Sequence, residues 1–397
     1  MNKPVEKVID DTIAELSAEL RKISLQIHAN PELGNHEYKA SALLADYLES
    51  KGMDVTRHAD GMETAFIAEY SNGSGRRVGF CSEYDALPGI GHGCGHNLIA
   101  ISGVACALAI KALLERKLLQ GTVVLFGTPA EEEMGGKKIF VKKEEVQKRN
   151  DFNLMLHPYP GDVMYCNMLA VDTANVEFFG KAAHAGMAPW KGINALDALM
   201  QAWDNLAMFR QQTLPTNRIH GIIKDGGKRP NVIPDYASAQ FLCRSLTRNQ
   251  LVELKAKFEN CVRAAAVATK AECKITWDEN GMTEDVFMNE PLTETFKHFM
   301  GQEGVEYKPR AEEEKISSGS SDYGAISYVI PASHPHFGIG TRAANHTVEF
   351  TNAAATEYAH TCTIRASRCA AKTAAAVMLD QDLYTAVQAD FRKGKSQ

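Results

Sequence analysis

At 397 residues the chain exceeds what one ordinary core supports, so two domains are expected. Hydrophobic residues at 45%, charged residues at 23% and a net charge of −6 describe a globular protein with no electrostatic footprint for nucleic acid or an anionic membrane. Met1–Asp11 mixes both charges without an apolar segment, and the longest uncharged apolar run, Leu98–Ile110, is too short to cross a bilayer, so neither a secretory leader nor a membrane span is expected.

Ile9, Ile13, Leu16, Leu20, Ile23 and Ile27 recur every three or four residues and predict a first helix. Asn30-Pro31-Glu32-Leu33-Gly34 breaks it, and Tyr38–Leu48 reads as a second. Short apolar runs at Ala65–Glu69, Val78–Cys81, Val123–Gly127 and Leu154–Leu156 are strand-like, and a buried helix spans Leu98–Arg116 between two of them. Strands alternating with helices predict an α/β sheet covered on both faces. From Asp172 to Thr283 the rhythm changes. Strands at Val176–Phe179, Ile219–Ile223, Ala237–Leu242 and Cys273–Trp277 interleave with helices at Ala195–Phe209 and Asn249–Val267. That β-α-β-β-α-β order is ferredoxin-like, and its ends can lie close together, as an insertion requires. From Phe287 helix and strand return, with strands at Val329-Ile330 and His336–Ile339. The expected organisation is a discontinuous domain, 1–172 with 287–397, and an inserted α+β domain, 173–286.

The chemistry-bearing residues follow the predicted strands, where α/β sheets open their ligand crevices. Glu83 and Asp85 follow one strand, Glu131, Glu132 and Glu133 another, and His157 a third. The loop Gly91-His92-Gly93-Cys94-Gly95-His96-Asn97 sets a thiol and an imidazole two apart, donors that suit one metal ion. The spacing alone is equally compatible with a glycine-rich loop and incidental side chains. Taken alone, the acidic run reads more simply as a solvated helix start. Beside a Cys/His loop, one Glu can bind metal while its neighbour acts as base. His157, His184 and His346 would not be singled out in isolation. The nine cysteines, an odd number without framework spacing, fit a reducing compartment, hence the cytoplasm.

The ordered set of motifs resembles the aminoacylase and carboxypeptidase family of dinuclear metallopeptidases. Within it the chain is similar to the amidohydrolase branch, which holds β-alanyl-lysine dipeptidases and aminobenzoyl-glutamate hydrolases. The likeness runs through residues 28–34, Glu83–Pro88, Gly91–Asn97, Thr128–Glu132, Gly180–Pro189, Asn231–Asp235, Ser318–Gly324 and Asn345-His346. It implies a twisted mixed sheet between helices, zinc-exopeptidase-like, with the ferredoxin-like insert as a lid and dimerisation domain. It implies Cys94 as bridging ligand, His96 and His157 as ligands of one ion, and Glu132 and His346 as ligands of the other. Glu131 matches the base that works with a metal-bridged water, and Asp85 a carboxylate that orients the site. His184 and Asn231 match residues that contact the substrate carbonyl region, the His reaching a partner subunit in many relatives, which implies a homodimer, although the branch also holds monomers. Two divalent ions are implied, zinc first, with manganese and cobalt as alternatives.

The implied reaction is hydrolysis of an amide in a dipeptide or N-acyl amino acid with a free carboxylate. The loop at Ser320 and Ser321 is a candidate to bind that carboxylate, and Gly226-Gly227 and the Asp172 region are candidate hinges for closure. Asn97 stands where many relatives carry Asp, and Glu133-Met134 where they often have glycines. Two readings of other classes remain: a catalytically silent metal-binding relative serving as sensor or partner subunit, and a structural zinc site on Cys94 and His96. A closed structural site would leave the Glu131-Glu132 pair without a task.

Overall fold

The computed structural model describes residues 3–133, 135–316 and 319–394, so Met134 and Ser318 lie outside the described residues. In chain order the strands are β1 (Asp54–Arg57), β2 (Phe66–Ser71), β3 (Arg76–Ser82), β4 (Gly121–Gly127), β5 (Phe152–Leu154), β6 (His157–Tyr159), β7 (Ala170–Phe179), β8 (Arg218–Asp225), β9 (Tyr236–Ser245), β10 (Glu272–Trp277), β11 (Ala332–Ser333) and β12 (His336–Gly338). The chain divides into two compact units. One comprises Met1–Asn167, Val286–Ser317 and Ser321–Gln397, and the other Met168–Asp285 with Ser318–Ser320.

The first unit is built on a mixed sheet in the order β1-β2-β4-β3-β5-β11. Strands β4, β3, β5 and β11 run parallel, while β1 and β2 are antiparallel to their neighbours. A separate parallel pair joins β6 to β12. The parallel centre is buried on both faces, which is why β3 is buried without alternation from Val78 to Ser82. On one face the helix His96–Glu115 packs against β3, the helix Lys3–Ala29 and the helix Glu357–Leu379. Neighbours on every side leave it no polar face. Its 20 residues are long and apolar enough to cross a membrane, but they form a core helix, almost wholly buried. The other face is closed by a second cluster that includes Phe126, Phe140 and Ile326.

Two predicted strands of the first unit are redrawn by the structure. The ladder at Leu154–Leu156 begins earlier, at Phe152, and ends at Leu154, while His157 opens a new strand. Val329-Ile330 is not a strand. Both residues close the turn after the helix Tyr323–Ser327, with Ile330 N–H donating to Ile326 O at 3.1 Å. Pro331 has no N–H for a ladder and only accepts, from Asn153 N–H at 2.9 Å, so pairing starts at Ala332.

In the second unit an antiparallel sheet, β10-β7-β9-β8, carries the helices Ala195–Phe209 and Arg248–Thr269. Burial alternates along β9, and the buried side chains form one core with both helices. Asn194 and Thr247 cap the helix starts with side-chain oxygens. Of the candidate hinges, the Asp172 region lies beside the start of the second unit at Met168, although Asp172 itself is inside β7, buried and ion-paired with Lys255, and Gly226-Gly227 follows β8 within that unit.

The helix His96–Glu115 packs closely on β3 at Gly103, where a Cβ would lie 2.3 Å from Ser82 Oγ and 2.7 Å from Cys81 O. Gly103→Val forces the helix off the strand and is expected to cost about 1–3 kcal/mol, read as a lower urea midpoint. An unchanged midpoint would show that the contact yields freely.

Candidate metal centre

Three loops at the carboxyl ends of the parallel strands and two further segments meet in the first unit. Glu83 and Asp85 follow β3, Glu131 and Glu132 lie on the turn after β4, and His157 opens β6. The glycine-rich loop ends at Gly95, whose φ of 77° and whose Cβ position, 2.6 Å from Pro158 Cγ, exclude any side chain. That turn puts His96 at the first helical position, two residues earlier than the apolar pattern begins. His346 itself has φ 67° and is held by its N–H on Gly93 O at 2.9 Å.

The donor atoms fall into overlapping groups, each within 4.8 Å: Cys94, His96 and His157; Cys94, Glu132 and His346; and Glu83, His96 and Glu131. Cys94 Sγ is 3.4 Å from His157 Nε2, and His346 Nε2 is 3.5 Å from Glu132 Oε1. His96 Nε2 lies 3.8 Å from Glu132 Oε1 and 3.9 Å from Glu131 Oε2. The other ring nitrogens are tied back. His96 Nδ1 pairs with Asp85 Oδ1 at 2.9 Å, and His157 Nδ1 with Pro158 O at 2.8 Å. Anchoring one ring nitrogen leaves the second free to ligate. His96 Nε2 and Glu132 Oε1 are buried with no hydrogen-bond partner, so the donor set fits a bound cation.

Charge is crowded here. Burial raises the Glu131 carboxyl well above its ordinary value, and Glu83, Glu132 and Asp322 add to the effect. Burial also raises Glu132, although His96 opposes it. Burial pushes the Cys94 thiol up to about 12 and the His157 imidazole down to about 4. For His96, burial works downward but Asp85 outweighs it and holds the ring well above its usual range. A site that raises two adjacent carboxyls and a thiol wants positive charge at its centre. The solvated-helix reading of the acidic run does not hold, because Glu131 is buried and the next helix starts only at Gly136.

His184 and Asn231 belong to the second unit, where Ala185 N–H donates to Asn231 O at 3.0 Å and His184 pairs with Val232 across an isolated bridge. Ser320 belongs there too, its Oγ accepting from Arg244 Nη1 at 3.0 Å. Ser321 is buried in the first unit and its Oγ accepts from Tyr323 N–H at 3.2 Å. Asn97 donates to Ser24 Oγ at 2.9 Å and Ala354 O at 3.2 Å, so it ties helices together inside the core.

Sequence reasoning gave no role to a buried triad beside the centre. Lys137 Nζ is 2.6 Å from Glu83 Oε1 and 2.6 Å from Asp322 Oδ1, all three side chains fully buried. Glu83 and Asp322 lie in motifs that carry the family resemblance, but nothing marks Lys137 in Gly135-Gly136-Lys137-Lys138 as an interior residue. His334 and His336 were missed as neighbours of the centre, their rings 5.5 and 5.0 Å from that of His157.

Comparison with known proteins follows the same lines. Residues 171–270 match the peptidase dimerisation domain. The human Xaa-Arg dipeptidase is 37% identical across 96% of this chain and 91% of its own. The chain belongs to the M20 family of metallopeptidases. A p-aminobenzoyl-glutamate hydrolase subunit of Escherichia coli is 26% identical over 98% of this chain and 95% of its own. A Bacillus subtilis structure, a dinuclear metal-binding peptidase of the M20 family, superposes with a TM-score of 0.71 at 18% identity, covering 92% of this chain and 99% of that one. This M20 chain is therefore a hydrolase of peptide or amide bonds, and its candidate ligand groups support divalent metal ions.

Lys137→Met strands Glu83 and Asp322 as buried, unpaired carboxylates. The expected cost is about 3–5 kcal/mol, read as a lower denaturant midpoint. Full stability in that variant would show the triad to be dispensable.

Proposed function

We propose that this M20 chain is a metal-dependent dipeptidase acting on a small amide substrate with a free carboxylate, with Glu131 as its base. The observation that carries the reading is the convergence of Cys94, His96, Glu132, His157 and His346 around partnerless buried donor atoms, with Glu131 beside them. The human relative's name puts Xaa-Arg dipeptides first among substrates, ahead of β-alanyl dipeptides and N-acyl amino acids. Two divalent ions, zinc in the first instance, would supply Lewis acidity toward the carbonyl and lower the pKa of an attacking water. Glu131, raised by burial and by its carboxylate neighbours, takes a proton on its carboxylate and returns it to the leaving amine. Asp85 fixes the His96 ring and, by accepting from Glu132 N–H at 2.9 Å, the acidic turn. His184 would steady the developing oxyanion, with Asn231 beside it, and Ser320 and Ser321 would receive the substrate carboxylate.

Metal-loaded enzyme should release free amino acid from a panel of these substrates, and chelator-treated enzyme should not. Glu131→Gln should retain both ions and lose about 10²- to 10⁴-fold in kcat. Cys94→Ala should lose metal on elemental analysis. Normal turnover in Glu131→Gln removes the base assignment. Two tightly bound ions without turnover on any substrate favour the silent-relative reading.

On the same reading the second unit forms a homodimer contact. Its strand β8 is a sheet edge with Ile222 59% and Ile223 44% exposed, an apolar edge ready for pairing. Ile222→Lys should shift the sedimenting species from dimer to monomer. A monomeric parent chain sinks the contact.

A further inference from the structure

Residues 30–37, between the first two helices, hold none of the donor atoms, yet they touch both acidic loops. Glu32 O accepts from Ala86 N–H at 2.8 Å, and Asn35 Nδ2 donates to Glu133 Oε2 at 3.0 Å. A Cβ on Gly34 would fall 3.1 Å from Ala130 Cα, so the two segments are in direct contact. At the end of this segment stands Glu37, fully buried. Its Oε1 accepts from Ala130 N–H at 2.7 Å and its Oε2 from the Thr64 hydroxyl at 2.8 Å. Thr64 is fixed in turn, its carbonyl accepting from Tyr84 OH at 2.6 Å.

Ala130 immediately precedes Glu131 and has φ 56°, a left-handed conformation that an alanine adopts only under constraint. The turn has three other backbone anchors: Thr128 N–H donates to Ser82 O at 2.8 Å, Glu132 N–H to Asp85 Oδ2 at 2.9 Å, and Gly135 N–H to Ala130 O at 3.1 Å. Only the last reaches residue 130, at its carbonyl, and none of them satisfies the Ala130 N–H. Without Glu37 the buried Ala130 N–H has no acceptor, and rotation about residue 130 becomes the easiest relief. That rotation swings the Glu131 side chain.

We infer that Glu37 is a positioning residue: its buried carboxylate, through the Ala130 amide, sets the direction in which Glu131 points. The inference rests on Glu131 being the base, and its test is built to separate the two.

The full metal-loaded chain is compared with Glu37→Met, Glu37→Asp and Glu37→Gln. Methionine removes the acceptor, aspartate keeps the charge but falls short of the amide, and glutamine keeps an acceptor for Ala130 while its amide can donate to Thr64 Oγ1. Two readouts are taken: kcat and KM on the best dipeptide, and hydrogen exchange of the peptide spanning residues 128–135. Glu37→Met and Glu37→Asp should lose about tenfold to a hundredfold in kcat with KM nearly unchanged, and should exchange faster in that peptide. Glu37→Gln should match the parent in both, a rescue that a purely electrostatic role would not give. Parental kcat in Glu37→Asp, or a loss in Glu37→Gln as deep as in Glu37→Asp, overturns the inference. If Glu37→Met fails to fold, the Asp and Gln variants decide. If Glu131→Gln proves active, the base reading falls, and exchange alone then decides whether Glu37 holds the turn: faster exchange in Glu37→Asp but not in Glu37→Gln upholds that brace, and equal exchange removes it.

Discussion

Asp85 accepts two hydrogen bonds, from His96 Nδ1 and from Glu132 N–H, each at 2.9 Å. Through them it joins the start of the helix His96–Glu115 to the acidic turn after β4. Asp85 is buried, and a buried carboxylate must be satisfied, so both elements are drawn to it. The consequences spread outward. His96 presents only Nε2 to the centre, and Glu132 is brought by its own backbone to within reach of His346.

The second constraint is the number of acidic groups in one dry place. Glu83, Asp85, Glu131, Glu132 and Asp322 crowd the same volume, and such charges coexist only with compensation. Lys137 supplies part of it from the chain itself, by ion-pairing with Glu83 and Asp322. Metal ions at the donor groups would supply the rest. On the proposed reading the two kinds of cation would have separate tasks. A tethered ammonium is fixed in place and offers no Lewis acidity, so it would serve the architecture and leave the chemistry to exchangeable ions.

Part of the backbone strain lies in this arrangement. Ala130 and His346 both have positive φ without being glycine, and each adjoins or is a member of the donor set. Gly95 takes the same region at no cost and lets Pro158 close over it. Around Ala130 and Gly95 the neighbours are buried, and His346, itself exposed, is held by its N–H on Gly93 O, so the surrounding structure can hold conformations that a free chain would leave.

The sequence by itself determined the elements with clear periodicity: the first two helices, the four strands and two helices of the insert, and the apolar helix behind the glycine loop. Local patterns suffice there because burial on one face, or on all, imprints a period on the residues. It also carried the donor motifs, since Cys94, His96, Glu131, Glu132, His157 and His346 sit in short strings with recognisable order. Only the tertiary structure decided that Lys137 is interior, that Val329 and Ile330 form a turn instead of a strand, that Glu131 is buried on a turn, and that Glu37 reaches Ala130. Two of these depend on a partner far away in the chain: Lys137 on Asp322 and Glu37 on Ala130. A lysine or a glutamate has the same local signature at the surface and in the core. What sets it inside is a counter-charge or an amide brought close by folding, and that is a property of three-dimensional proximity, absent from local sequence order.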